Sequence, residues 1–245
     1  MLTALTVLSV LAASASAQYS YAVDIMQSGS ASSFSCLRSN GYATVFTRAY
    51  KPDGSGIIDP NAVNNIVTAS KNGLGVEAYV TPRPIGSKNA TIQIDEAINN
   101  LVYGGITLRS LWLQVTSPVN WNSNQGVNVN FINAALQRIR SRGIRPGVYT
   151  NSYDWQQITN GASNTGSDVM LWYWNVYGQG AGGESPANFN DFRAFGPFRS
   201  ASVKQFGQNE AICSFTANRN VYSNSGTKSV NNEKSDKIVV GAIGL

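Results

Sequence analysis

Few side chains in this sequence can carry acid–base chemistry. No histidine occurs among its 245 residues, which excludes Ser–His and Cys–His catalysis and argues against a zinc site. Any chemistry must use carboxylates, amides, hydroxyls or aromatic rings. Asp24 lies near the end of an apolar stretch, Tyr21 to Met26, where packing alone gives little reason for a carboxylate. The competing reading is a structural aspartate that bonds loop amides or Arg48. Gln114 and Thr116 stand two apart, so on one face, at the C-terminal end of the strand-like run 110–118. Glu184, in a glycine-rich loop, is either a solvated loop residue or a carboxylate able to swing over a site. Glu77 falls at the start of a strand, at the end away from a site. Asp154 reads as a first-turn residue of a short helix. Among the aromatics Tyr79, Trp112, Tyr149, Trp172, Trp174 and Tyr177, strand alternation sends about half into the core and leaves the rest to face a ligand.

Positioning these groups requires alternating strands and helices. The spacing predicts strands over 21–26, 43–49, 76–81, 111–115, 145–150, 170–174, 202–208 and 217–222. Helices are expected over 32–40, from the Asp59-Pro60 start to about 70, and over 91–103, 128–142 and 153–159. Leu111, Trp112, Leu113 and Val115, stopped by Pro118, make the central buried strand. Strand–helix alternation at roughly 30-residue intervals implies parallel strands. Eight strand candidates favour an α/β fold, an irregular (β/α) TIM-like barrel whose last helices are reduced or missing, with its site at the C-terminal strand ends.

The chain ends set the expected context. Residues 1–17 carry no charge and finish in Ala15-Ser16-Ala17, the pattern of a cleaved secretory signal peptide. Secretion is expected, with no membrane span. The barrel domain then covers 18–222, and 223–245 is a low-complexity tail expected to be disordered. Cys36 and Cys213, the only two cysteines, are either one long-range disulfide or two buried thiols; an oxidising compartment favours the disulfide. Asn89-Ala90-Thr91 is a glycosylation sequon. A net charge of +5 suits an anionic partner such as a bacterial cell wall, and equally a plain solubility surface.

The order of these pieces resembles the family 25 glycoside hydrolases, the Chalaropsis-type lysozymes, in their nematode and protist branch. The likeness runs from about Tyr21 to Tyr222. It is carried by Tyr21-Ala-Val-Asp24, by Asp59-Pro60 with Asn65, Ala69 and Gly73, by Tyr79 to Pro82, Gly147-Val-Tyr-Thr150, Leu171-Trp172 and Lys204-Gln-Phe206. The resemblance implies hydrolysis of the β-1,4 bond of peptidoglycan by carboxylates, with no cofactor or metal. It makes Asp24 the first-strand catalytic carboxylate and Tyr79, Tyr149 and Trp172 sugar-binding residues. It also implies three departures. The family's Asp-x-Glu reads Gln114-x-Thr116 here, and its last-strand aspartate aligns with Asn218. An amide or hydroxyl keeps hydrogen bonding but cannot serve as a general acid near neutral pH, a role typically worth about 10²–10⁴-fold.

Three functions follow as expectations. The first is a secreted lysozyme-like hydrolase of innate defence, a monomer acting on peptidoglycan or a related N-acetylated glycan and not on nucleic acid. The second is a non-catalytic saccharide-binding effector on the same scaffold. The third is a barrel reused for protein interaction.

Overall fold

The computed structural model describes residues 19–223 and 238–243. The expected signal peptide lies outside them, as do residues 224–237. The elements in chain order are β1 (Tyr19–Ile25), α1 (Ala31–Ser39), β2 (Tyr42–Lys51), β3 (Ile57–Ile58), α2 (Ala62–Lys71), β4 (Gly75–Val80), α3 (Ala90–Tyr103), β5 (Ile106–Leu108) and β6 (Ser110–Gln114). They continue with α4 (Gln125–Ser141), β7 (Arg145–Thr150), α5 (Ser152–Thr159), β8 (Met170–Trp174), β9 (Val203–Ile212), β10 (Phe215–Ser223) and β11 (Ile238–Val240). Eight strands close a barrel in the order β1-β10-β9-β8-β7-β6-β4-β2, and β2 pairs back onto β1. The α/β barrel read from the sequence is therefore present, with no α-helix between β8 and β9 or between β9 and β10.

One strand departs from the parallel expectation. β10 runs antiparallel to both neighbours. The physical cause is the connection: β9 and β10 are joined by Cys213 and Ser214 alone, both at positive φ (48° and 70°). A two-residue turn of this kind joins only antiparallel strands. Reversal brings the start of β10 to the mouth of the barrel, so Asn218 reaches the site from a strand running the other way. Cys36 and Cys213 are bonded, which ties α1 to this turn across 177 residues of sequence.

Local sequence explains most of the helices. Asn124 caps α4 by accepting from the Gly126 and Val127 amides, and Asn89 caps α3 by accepting from Ile92. Ile132, Ala135, Leu136 and Ile139 form the buried stripe of α4, each large side chain contributing about 1.5–3 kcal/mol. The α2 start differs from the expected Asp59 cap. Asn61 takes the cap position, while Asp59 accepts from the Asn61 amide and pairs with Arg48.

Alternation along the strands makes two cores. Outward residues such as Val23, Leu113 and Val148 pack against the helices. Inward residues fill the barrel with rings: Trp172 stacks with Phe46 and Tyr149 at centroid distances of 4.3 and 4.2 Å, and Trp112 meets it edge-on at 6.0 Å. Gly147 makes this possible, because a Cβ there would come within 2.3 Å of the Trp112 ring.

The expected disordered tail is corrected for its last part. β11 pairs in parallel with β5, and Val240 and Ile243 are buried. Ile243 enters the ring core from the end opposite the mouth. Glu77 lies at that end, fully buried, and accepts from the Ala242 and Ile243 amides. Apolar side chains with a buried acceptor for their backbone outweigh the polar composition that precedes them.

Candidate active site

The C-terminal ends of β1, β6 and β7, with the reversed start of β10, surround the barrel mouth. Asp24 is at its centre, 6% exposed. Its Oδ1 accepts from Gln205 Nε2 and Asn220 Nδ2, both at 2.8 Å, and its Oδ2 accepts from Asn218 Nδ2 at 2.7 Å. Each amide is held the right way round by a second donor. Trp172 Nε1 donates to Asn220 Oδ1, Tyr149 Oη to Gln205 Oε1, and the Asn209 amide to Asn218 Oδ1. Gln205 and Asn220 are functional residues that the sequence reading missed, because amides carry no motif of their own.

Asp24 has no cationic partner among the described residues. Arg48, the competing partner considered from sequence, is engaged by Asp59 at 2.7 Å. Burial raises the Asp24 carboxyl from 3.8 to about 6, against the lowering effect of its three amide bonds. A carboxyl in this range is poised to give up a proton in mildly acidic solution.

Above it lies a cleft of about 450 Å³, lined among others by Gln114, Thr116, Tyr149, Asp154, Trp174 and Asn218. Asp24 is not part of this lining; Asn218 and Tyr149 form the floor over it. The one carboxylate in the cleft wall is Asp154. It is a first-turn residue of α5, as read from sequence, with its amide bonded to Asn151 Oδ1 at 2.7 Å. Because α5 starts immediately after β7, that turn stands at the barrel mouth. Trp174 Nε1 donates to Asp154 Oδ2 at 3.2 Å, and burial raises the carboxyl above its usual range.

Gln114 and Thr116 do stand together at the mouth. Gln114 Oε1 accepts from Thr81 Oγ1 at 2.6 Å and its Nε2 donates to Thr116 Oγ1 at 2.9 Å. The pair is a hydrogen-bonded rim without a titratable proton.

Other expectations are corrected. Trp172 is fully buried and Tyr79 is 3% exposed, with its hydroxyl directed to the Ile25 carbonyl. Both belong to the filled barrel interior and offer no face for a sugar. Tyr149 lines the cleft through a narrow edge, and Trp174 beside it is the more open ring. Glu184 does not reach over the site. It pairs with Arg219, whose neighbours Asn218 and Asn220 point inward, so the ion pair lies on the outer barrel wall. Glu210 shares that position and is pushed up to about 7 by burial and by Glu184. Asn89 is exposed at the start of α3, away from the cleft. Among the described residues no cluster of three or more His, Cys, Asp or Glu could hold a metal, and no helix is long and apolar enough to cross a membrane.

A family model described as "Lysozyme-like protein 1" matches residues 15–206. Lysozyme-like protein 7 of Caenorhabditis elegans is 50% identical over 206 residues, 84% of this chain and 73% of that one. Probable GH family 25 lysozyme 2 of Dictyostelium discoideum is 30% identical, over 82% of this chain and 89% of its own. Among solved structures, a family GH25 lysozyme from Aspergillus fumigatus superposes with a TM-score of 0.66 at 15% identity, covering 84% and 94% of the two chains. A bacterial lysozyme from Streptomyces coelicolor gives 0.65 at 18% identity, covering 83% and 91%. Those two likenesses speak for the barrel, while the sequence relatives and the family model speak for descent: the chain belongs to the lysozyme-like proteins of glycoside hydrolase family 25.

Proposed function

We propose that the protein is a secreted glycoside hydrolase that cuts bacterial peptidoglycan in innate defence, with Asp24 as its central carboxyl. The observation that carries this reading is the carboxyl of Asp24, buried without a cation under a cleft and held by three oriented amides. Burying such a group costs stability; unlike Glu77, whose bonds dock the tail, it lies under the cleft, where perturbed carboxyls mark functional sites. In the reaction, the bound sugar displaces the Asn218 amide from Asp24 Oδ2, and the exposed carboxyl passes its proton to the glycosidic oxygen as the C1–O bond breaks. The substrate's own N-acetyl oxygen bonds to C1, as in substrate-assisted glycosidases. Water then opens that ring at C1, and its proton returns to Asp24. Asp154, on the cleft wall, stabilises positive charge developing on the sugar. Incubation with purified peptidoglycan tests the reading through the release of new reducing ends.

A second reading is favoured by one observation. Gln114 and Thr116 satisfy each other and Thr81, which suits a cleft that holds a glycan without cutting it. Sedimentation with peptidoglycan and no release of reducing ends is the outcome that reading expects.

A further inference from the structure

Beside the main cleft is a second hollow of about 100 Å³, lined by Arg83, Gln114, Thr116, Asn120, Trp121 and several prolines. Gln114, Thr116 and Ser117 line both, so the hollow opens across the rim made by the Gln114–Thr116 pair. Its size admits a substituent of several heavy atoms. Its lining contains one cation and no carboxylate.

That cation is held in place by its backbone. Pro82 and Pro84 flank Arg83 and fix the chain on either side. The fully buried Gln93 clamps it: Gln93 Oε1 accepts from the Arg83 amide at 2.8 Å, and Gln93 Nε2 donates to the Arg83 carbonyl at 2.9 Å. The side chain is not matched in the same way. Arg83 Nε is buried and has no hydrogen-bond partner, and no described residue forms an ion pair with the guanidinium. A guanidinium without an ion-pair partner, on a rigid segment at a hollow lined by amides, hydroxyls and an aromatic ring, is an arrangement suited to an anionic acceptor.

We propose that this hollow is an anion subsite of the cleft, in which Arg83 receives a carboxylate borne by the bound glycan. Guanidinium and carboxylate match as a two-bond fork, and Gln114, Thr116 and Asn120 supply further hydrogen bonds around it. The carboxylate comes either from the acidic ether of an N-acetylated sugar or from a short peptide attached there. The subsite rests on the saccharide reading above, and it selects acidic cell-wall glycan over neutral chitin-type chains.

Calorimetric titration tests the proposal without requiring catalysis. The probes are neutral chitotetraose, a peptide-free tetrasaccharide of alternating N-acetylglucosamine and N-acetylmuramic acid, and the same tetrasaccharide carrying an alanyl-glutamate dipeptide. Wild type is expected to bind at least one acidic probe about tenfold tighter than chitotetraose, the scale of one charge-assisted contact. Arg83→Gln should bring that ratio to about one, and Arg83→Lys should restore part of it. Preference for the peptide-free or the dipeptide probe assigns the source of the carboxylate. An acidic-to-neutral ratio unchanged in Arg83→Gln would overturn the subsite while leaving the saccharide reading intact. Failure of wild type to bind any of the three probes would overturn both.

Discussion

Replacing Glu77 by glutamine or by alanine separates two duties of one buried carboxylate. Oε2 accepts from Ser110 Oγ and Trp112 Nε1, both at 2.9 Å, while Oε1 accepts from the Ala242 amide at 2.7 Å and the Ile243 amide at 3.0 Å. A glutamine with its oxygen turned to the tail keeps both amide bonds. The Ser110 hydroxyl can rotate to accept from the new NH₂, but the Trp112 indole N–H is a donor only. One buried donor is left unpaired, at a cost of about 1–3 kcal/mol, or roughly 6 °C in Tm for a chain this long. Alanine strips all four donors. The two tail amides can escape by undocking, which exposes Val240 and Ile243 at about 1.5–3 kcal/mol each. Freed backbone regains about 1–2 kcal/mol per residue, which over 238–243 outweighs that exposure once the two Glu77 bonds are gone, so release becomes the favoured response. The assay is hydrogen exchange at the β11 amides together with thermal unfolding. Wild type and Glu77→Gln should keep β11 protected, the latter with a lowered Tm, and Glu77→Ala should lose that protection. Protected β11 amides in Glu77→Ala would refute the reasoning.

Other consequences concern pH and the rim. Asp24 is raised from 3.8 to about 6, so the folded state binds the extra proton and stability falls as pH rises from about 4 to 6, by about 3 kcal/mol at most. Unfolding free energies over that range should show the decline in wild type and lose it in Asp24→Asn. Glu210 is likewise raised, to about 7, and Arg219 is the charge that restrains it. Arg219→Ala should therefore destabilise more at pH 8 than at pH 5, as read from urea midpoints. The pair Gln114→Asp with Thr116→Glu returns carboxylates to the rim. It should raise reducing-end release at least tenfold over wild type if the cleft still seats its glycan.

Much of this architecture is legible from sequence, for reasons that also mark where legibility stops. The family resemblance makes Trp172 and Tyr79 sugar-binding residues, but both point into a closed eight-stranded barrel, where an inward face below the rim is filled core, not cleft. The reversal of β10 is hidden because its turn is made by Cys213 and Ser214, without the Asn-Gly or Gly signal that usually marks positive φ. Asp154 is read correctly as a helix residue. Its place in the cleft follows from how closely α5 succeeds β7, which periodicity does not convey. Three residues, Ile238 to Val240, are too few to show a period, and what orders them is Glu77, more than 160 positions away in sequence. Gln205 and Asn220 look like any other amides until the fold brings both to one oxygen of Asp24.

Reducing-end release from purified peptidoglycan near pH 5, compared between wild type and Asp24→Asn at matched fold stability, tests the central claim most directly. Wild type should release ends, and the variant should be slower by about 10²–10⁴-fold, the contribution of a general acid. Equal rates in the two proteins, or no release by wild type, would contradict an Asp24-centred hydrolase.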